Sequence, residues 1–151
     1  MRRPPPTRSS RRQQGAVLVE FVVLLPCLLL LLFTVSEGAG MIATHQILNN
    51  AAREGARLSI SPGEQGDTAG VTARVVAYAN ANGVALTAAN VSVNQDVIVP
   101  VAGACSAANP CLTASQVTVT YSYPLQYLPN FATGVPVTVP LSNSVEMRNF
   151  Y

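Results

Sequence analysis

The sequence has no Lys and no Trp, a single His and only three Cys, and just 11% of its 151 residues are charged. Each shortage closes off a class of function. So little charge, with a positive mean hydropathy, suits a membrane-anchored protein rather than a free soluble enzyme. His45 has no second His or Cys nearby at ligand spacing, and no Cys or Ser stands where spacing would pair it as a nucleophile. A nucleophile elbow and a glycine-rich phosphate loop are both missing. Asp67, Asp96 and Glu146 have no sequence reason to converge. No catalytic residue, cofactor or metal site follows, and the chain is expected not to be an enzyme.

Without Lys, all positive charge rests on nine Arg, and five of them (Arg2, Arg3, Arg8, Arg11, Arg12) precede Gly15, whereas all seven acids follow it. Beyond Gly15, four Arg face seven acids, a formal net charge of −3. The basic character belongs to the leader. Nucleic-acid binding by a basic surface loses its support, and no nucleic-acid partner is expected.

What the chain does have in quantity is one apolar run, QGAVLVEFVVLLPCLLLLLFTV, from Gln14 to Val35, interrupted by a single charge, Glu20. About twenty apolar residues cross ~30 Å of hydrocarbon as a helix, so membrane lipid is an expected partner. A carboxylate in such a helix costs on the order of 2.5–3.5 kcal/mol and therefore calls for a partner. The Arg-rich leader lies directly against the run, which by the positive-inside rule leaves the N-terminus in the cytoplasm and the bulk of the chain on the far side. In an oxidising compartment there, Cys105 and Cys111 are placed to close the short loop SAANP with a disulfide, stabilising the fold by roughly 2–3 kcal/mol. Cys27 reads as a small buried apolar residue with no redox role.

Pro26 removes an N–H and sets its ring against the carbonyl of Val22, which predicts a kink. Polarity rises after Val35, yet the next Pro is Pro62, so the helix is expected to continue as a stem to Ser59, with Gly38 and Gly40 its weak points. A helix over residues 16–59 is about 66 Å long, more than a bilayer requires. On the stem, Ile47, Ala51, Glu54 and Leu58 recur at helical spacing, while Leu48, Ala52, Gly55 and Ala56 make a narrow face of mostly small side chains. Arg53 and Arg57 lie opposite, with Glu54 and neighbouring subunits as their candidate ion-pair partners.

Pro62 to Gly70 is a break. A second helix follows, capped by Asp67 or Thr68, apolar at Val71, Val75, Val76 and Ala79, and ended by Gly83. The texture then changes to alternating or β-branched pieces at Val91–Asn94, Val97–Val99, Val117–Tyr123, Val135–Val139 and Leu141–Met147, bounded or interrupted by Pro100, Pro124, Pro136 and Pro140. The fold class is α+β: a long N-terminal helix, a short second helix and a small antiparallel sheet. The expected division is a leader over 1–15 (its first fourteen residues disordered), a transmembrane helix over 16–36, a helical stem over 37–60 and an extracytoplasmic α+β domain over 61–151.

Gln14-Gly15-Ala16-Val17-Leu18-Val19-Glu20-Phe21, a basic leader ending in Gly with Glu at the fifth apolar-helix position and an aromatic next, resembles the class 3 signal of type IV pilins, of the Flp/Tad type. With VEFVVLLPCLLLLLF and NNAAREGAR (residues 49–57), the chain is similar to TadE-like pseudopilins, and SVEMR (144–148) looks like their closing strand. The resemblance implies a pilin-like fold and cleavage between Gly15 and Ala16 on the cytoplasmic face by a membrane prepilin peptidase, with Glu20 and Phe21 serving processing and assembly. It also implies a minor pilin or pseudopilin of a Tad/Flp-type pilus, supporting adhesion or surface attachment. Its partners would be other Tad pilins or pseudopilins and the inner-membrane assembly platform. The location would be a bacterial inner membrane, spanned once, or the pilus itself. The competing reading is a secretory signal cut near Ser36 and Gly38, or an uncut anchor, carrying a binding or enzymatic β domain unrelated to pili. N-terminal sequencing of the mature protein separates these: the pseudopilin reading expects a start at Ala16, against Ala39 for a secreted protein and Met1 for an uncut anchor.

Overall fold

The computed structural model describes residues 9–100, 111–126, 134 and 137–149, with the side chains of the first helix from Val17 onward. The first helix, α1 (Ser9–Ser59), passes without interruption through Pro26, Gly38 and Gly40. It starts earlier than composition predicts, so residues 9–14 of the leader are helical; Arg and Gln, which dominate that stretch, are good helix formers once Pro4–Pro6 lie behind them. The glycine expected to weaken the stem has a different use. A Cβ on Gly40 would stand 2.5 Å from the Tyr123 hydroxyl, so the missing side chain makes room for the tyrosine.

The second helix, α2 (Thr68–Ala81), is bounded by the residues that the sequence marks out. Asp67 is the N-cap, its carboxylate accepting from Gly70 N at 2.8 Å. Gly83 ends the helix at φ 82°, with Gly83 N donating to Asn80 O (3.1 Å) and Val84 N to Ala79 O (3.0 Å). Those two bonds form a Schellman motif, and its left-handed position is where glycine is needed. The chain reverses there and buries Val84 and Leu86, with Leu86 N held by the Asn80 side chain at 2.9 Å.

A 3-10 turn (Ala88–Asn90) leads into three antiparallel strands, β1 (Val91–Val99), β2 (Leu112–Pro124) and β3 (Thr138–Arg148), in the order β1-β2-β3. The two apolar pieces of β1 are one strand with a bulge. Asn94 pairs with Gln116 and Val97 with Ala114, which leaves Gln95 and Asp96 opposite Ser115 alone. Pro140 likewise sits inside β3 rather than between two strands, as an edge strand permits. Residues 135 and 136, where the sequence begins this strand, lie outside the described residues, as do residues 1–8 of the leader and Cys105.

Both helices pack on one face of the sheet, α1 against β2 and β3 and α2 against β1. Val117 and Val119 face inward beneath Leu48, Ala52 and Ala56 of α1 and Val71 and Val75 of α2, all fully buried. The outward face carries Ser92, Thr118 and Ser144 in one row, with Thr118 and Ser144 sharing a hydrogen bond of 3.0 Å. At the far end of α1 the layers are joined by polar groups. Gln95, brought inward by the bulge, donates to Ser59 Oγ (3.0 Å) and Glu64 O (3.1 Å) and accepts from Gly66 N (2.7 Å). Asn149 donates to the Gln95 carbonyl (2.9 Å) and accepts from Ser115 Oγ (2.9 Å). These side chains are buried, so each bond replaces water that the site excludes.

The tightest point is Gly55, where a Cβ would collide with Val75 and come within 3.5 Å of Val117 and 3.6 Å of Val71. Gly55→Leu is expected to destabilise the domain by roughly 1–3 kcal/mol through overpacking. Gly38→Ala, with nothing within 4 Å of the new methyl, is expected to be neutral or to stabilise the helix. Thermal unfolding of the detergent-solubilised chain checks both, and equal midpoints for the two variants would contradict the close packing at Gly55.

Candidate functional site

The lower half of α1 presents its large apolar side chains outward. Fourteen large apolar side chains between Val17 and Val35 are exposed, among them Val19 at 65% and Val23 at 67%. Leaving a Val, Leu or Phe in water rather than burying it forfeits about 1.5–3 kcal/mol each, so this surface requires lipid or other apolar helices around it. The segment is long and apolar enough to cross a membrane by length and composition. Pro26 lies within it, lining a shallow apolar groove with Leu25, Leu29, Leu30 and Phe33, and Cys27 is free and exposed, not buried as the sequence suggests.

Glu20 is exposed in this surface, one helical turn from Val17, Val23 and Leu24, and pairs with no other described residue. Phe21 is 58% exposed beside it. Gly15 and Ala16 are helical backbone in α1, one turn before Glu20.

The domain begins to hang from the helix at Glu37. This carboxylate is only 4% exposed and accepts a hydrogen bond from Gln126 N, just past the end of β2. Tyr123, packed over Gly40, is a second contact of β2 with the helix one turn further on. Glu20 and Glu37 are seventeen residues apart, about 26 Å along a helix, so the two carboxylates bracket the apolar surface at its two ends.

Higher on the stem, Glu54 pairs with Arg74 of α2, Oε1 lying 2.6 Å from Nη2 and 3.2 Å from Nε. This differs from the expectation that Glu54 would serve Arg53 or Arg57. Both of those are exposed, and neither has an ion-pair partner among the described residues. Arg74 reaches Glu54 from α2, while Arg57 lines the same surface hollow without an ion-pair partner among the described residues.

Gly15, the apolar run, the buried small-residue face and the Arg53–Arg57 stripe thus form one uninterrupted helix. Residues 15–57 match the family model described as TadE-like protein. This stretch is similar to TadE-like proteins. No curated protein and no solved structure matches the chain. The TadE-like match begins at the glycine of the expected cut and ends at Arg57, two residues before α1 ends, so it covers the helix and not the sheet.

Within the stretch that matches, the structure sets Glu20 and Phe21 together in an exposed apolar surface and pairs Glu54 with Arg74 of α2 rather than with Arg53 or Arg57. Cys111 is described but Cys105 is not, so their pairing is outside what the structure describes. Glu37 and Arg74 were not legible as functional positions. Glu37 resembles any solvated acid just past an apolar run, and its partner is 89 residues away; the only signal was its position one turn beyond the hydrocarbon-length stretch. Glu37→Ala is expected to free the Gln126 amide and destabilise the lower edge of the domain by about 1.5–3 kcal/mol, the range for a hydrogen bond to a charged group. Hydrogen exchange over residues 121–126 reads this directly, and protection equal to that of the native chain would rule the tether out.

Proposed function

We propose that the chain is a minor pilin or pseudopilin of a Tad/Flp-type pilus, structural rather than catalytic, made as a precursor with a cytoplasmic basic leader over residues 1–15. A prepilin peptidase cuts it between Gly15 and Ala16. The span over 16–36 holds it in a bacterial inner membrane, and the stem over 37–60 and the α+β domain over 61–151 lie outside the cytoplasm, with Cys105 and Cys111 joined as a disulfide. The carrying observation is the exposed carboxylate of Glu20, one turn past the glycine of a stretch that matches the TadE-like model and whose large apolar side chains stand exposed.

The chemistry that supports this is specific. Glycine presents a peptide bond with no side chain in the way and weakens the helix by about 1 kcal/mol relative to Ala, which favours the local unwinding that proteolysis needs. Cleavage creates an α-amino group at Ala16 with an ordinary pKa near 8, protonated at neutral pH. Glu20 then lies in the first turn of the new helix, where the macrodipole favours a negative charge. In a stack of such helices the Glu20 carboxylate of one subunit meets the Ala16 ammonium of its neighbour, and each charge loses the penalty of being alone in low dielectric. A pairing four residues apart also fixes the stagger between subunits. Prepilin peptidase, other Tad pilins or pseudopilins, the assembly platform in the inner membrane and lipid are the partners that this role requires.

Deleting the chain is expected to remove or shorten surface pili and to reduce surface attachment. The native sequence should restore them, while Glu20→Ala should be cut at Gly15–Ala16 yet fail to restore pili, as counted by electron microscopy beside N-terminal sequencing. Pili unchanged in number, length and adhesion after deletion would refute the role in assembly.

A further inference from the structure

Arg53 and Arg57 are the exposed cations of α1 above the apolar run, and no described residue pairs with them. Four residues apart, they lie one above the other on the helix side opposite Leu48, Ala52, Gly55 and Ser59, all of which face the domain. Further down the same side, Ile42 and Val35 are 60% and 62% exposed. This back of the stem is an open surface, apolar below and cationic above. Lipid headgroups do not account for the cations: Arg53 is seventeen residues beyond Ser36, about 26 Å along the helix from the end of the span.

The complementary charge is on the chain itself. Glu64, Asp67 and Asp96 surround the turn that follows α1, and none forms an ion pair with a described residue. The turn is held level with the last turn of α1, because the one amide of Gln95 reaches both Ser59 Oγ (3.0 Å) and Glu64 O (3.1 Å). Within one molecule none of these acids forms an ion pair with Arg57. A neighbour offers another arrangement. When the Ala16 ammonium of one copy meets Glu20 of another, the first is displaced by four residues, about 6 Å, toward the distal end of the second. Its Arg57 then comes level with residue 61 of the second copy, at the acidic turn, and its Arg53 follows one helical turn below.

We infer that the back of the stem, centred on Arg57 with Arg53 beside it, docks on the acidic turn Glu64–Asp67 of a second copy of this chain, in the register set by Ala16 and Glu20. The inference rests on the assembly reading above and adds a second, extramembrane contact to it. In this register Arg53 of the first copy lies level with Arg57 of the second, so the contact depends on the acidic turn that receives Arg57 and not on avoiding like charges.

The test uses two differently tagged full-length copies produced together, both with Cys27→Ser, one with Val19→Cys and the other with Val23→Cys, treated in membranes with a short bis-maleimide. The copies with native charges are expected to cross-link. Arg53→Glu/Arg57→Glu in the Val19→Cys copy should lower the yield roughly two- to fivefold, the range of exposed ion pairs. Glu64→Arg in the Val23→Cys copy should restore it, with the Asp67 cap left in place. Absence of cross-linking with native charges would overturn the assembly reading and the inference with it. Cross-linking that the Arg reversals leave unchanged would overturn the inference alone, and a loss that Glu64→Arg does not restore would remove the acidic turn as the partner.

Discussion

The domain exists because α1 is nearly bare on one side. Ala51, Ala52, Gly55 and Ala56 leave the backbone close to the surface, so Val75 of α2 and Val117 of β2 meet the helix where a larger side chain would hold them off. Packing this close earns many weak dispersion contacts from small residues, in place of the few large side chains of an ordinary core. The same choice keeps the domain slim on the stem. Every other feature follows from where that face begins and ends: α2 ends once it has laid Val71, Val75 and Ala79 along it, and the sheet stops where Glu37 and Gly40 receive the end of β2.

Local chemistry explains what could be read from the sequence. Asp67 and Gly83 act within four residues of themselves, so the ends of α2 were evident, and the small-residue face of the stem was evident from its spacing. Alternation marked the strands, although the bulge at Gln95 and Asp96 made one strand look like two. The groups that fasten the layers were not evident. Gln95 bonds Ser59 across 36 residues, Asn149 bonds Gln95 across 54, and Glu37 meets Gln126 across 89, and no periodicity records such pairs. Arg74 meets Glu54 across 20 residues, again a pairing that spacing along one helix does not record.

The two halves of α1 solve opposite problems with one continuous helix. Above Glu37, small residues draw the rest of the chain in; below it, large ones are presented to whatever surrounds them. Fourteen large apolar side chains of the lower half stay exposed. A hinge between the halves would separate these tasks, whereas an unbroken helix makes any contact along the lower half fix the orientation of the domain above.

Asn149 has a bearing on how the domain is held shut. Its backbone N–H bonds Thr113 O at 2.9 Å and its side chain joins Gln95 to Ser115, while β3 supplies one whole side of the sheet. Without β3 and Asn149, β2 would have an open edge and the bulge at Gln95 would lose the amide that ties it to the neighbouring strand. One side chain thus works as a clasp between strand and bulge, and the polar end of the domain opens or closes as a unit rather than strand by strand.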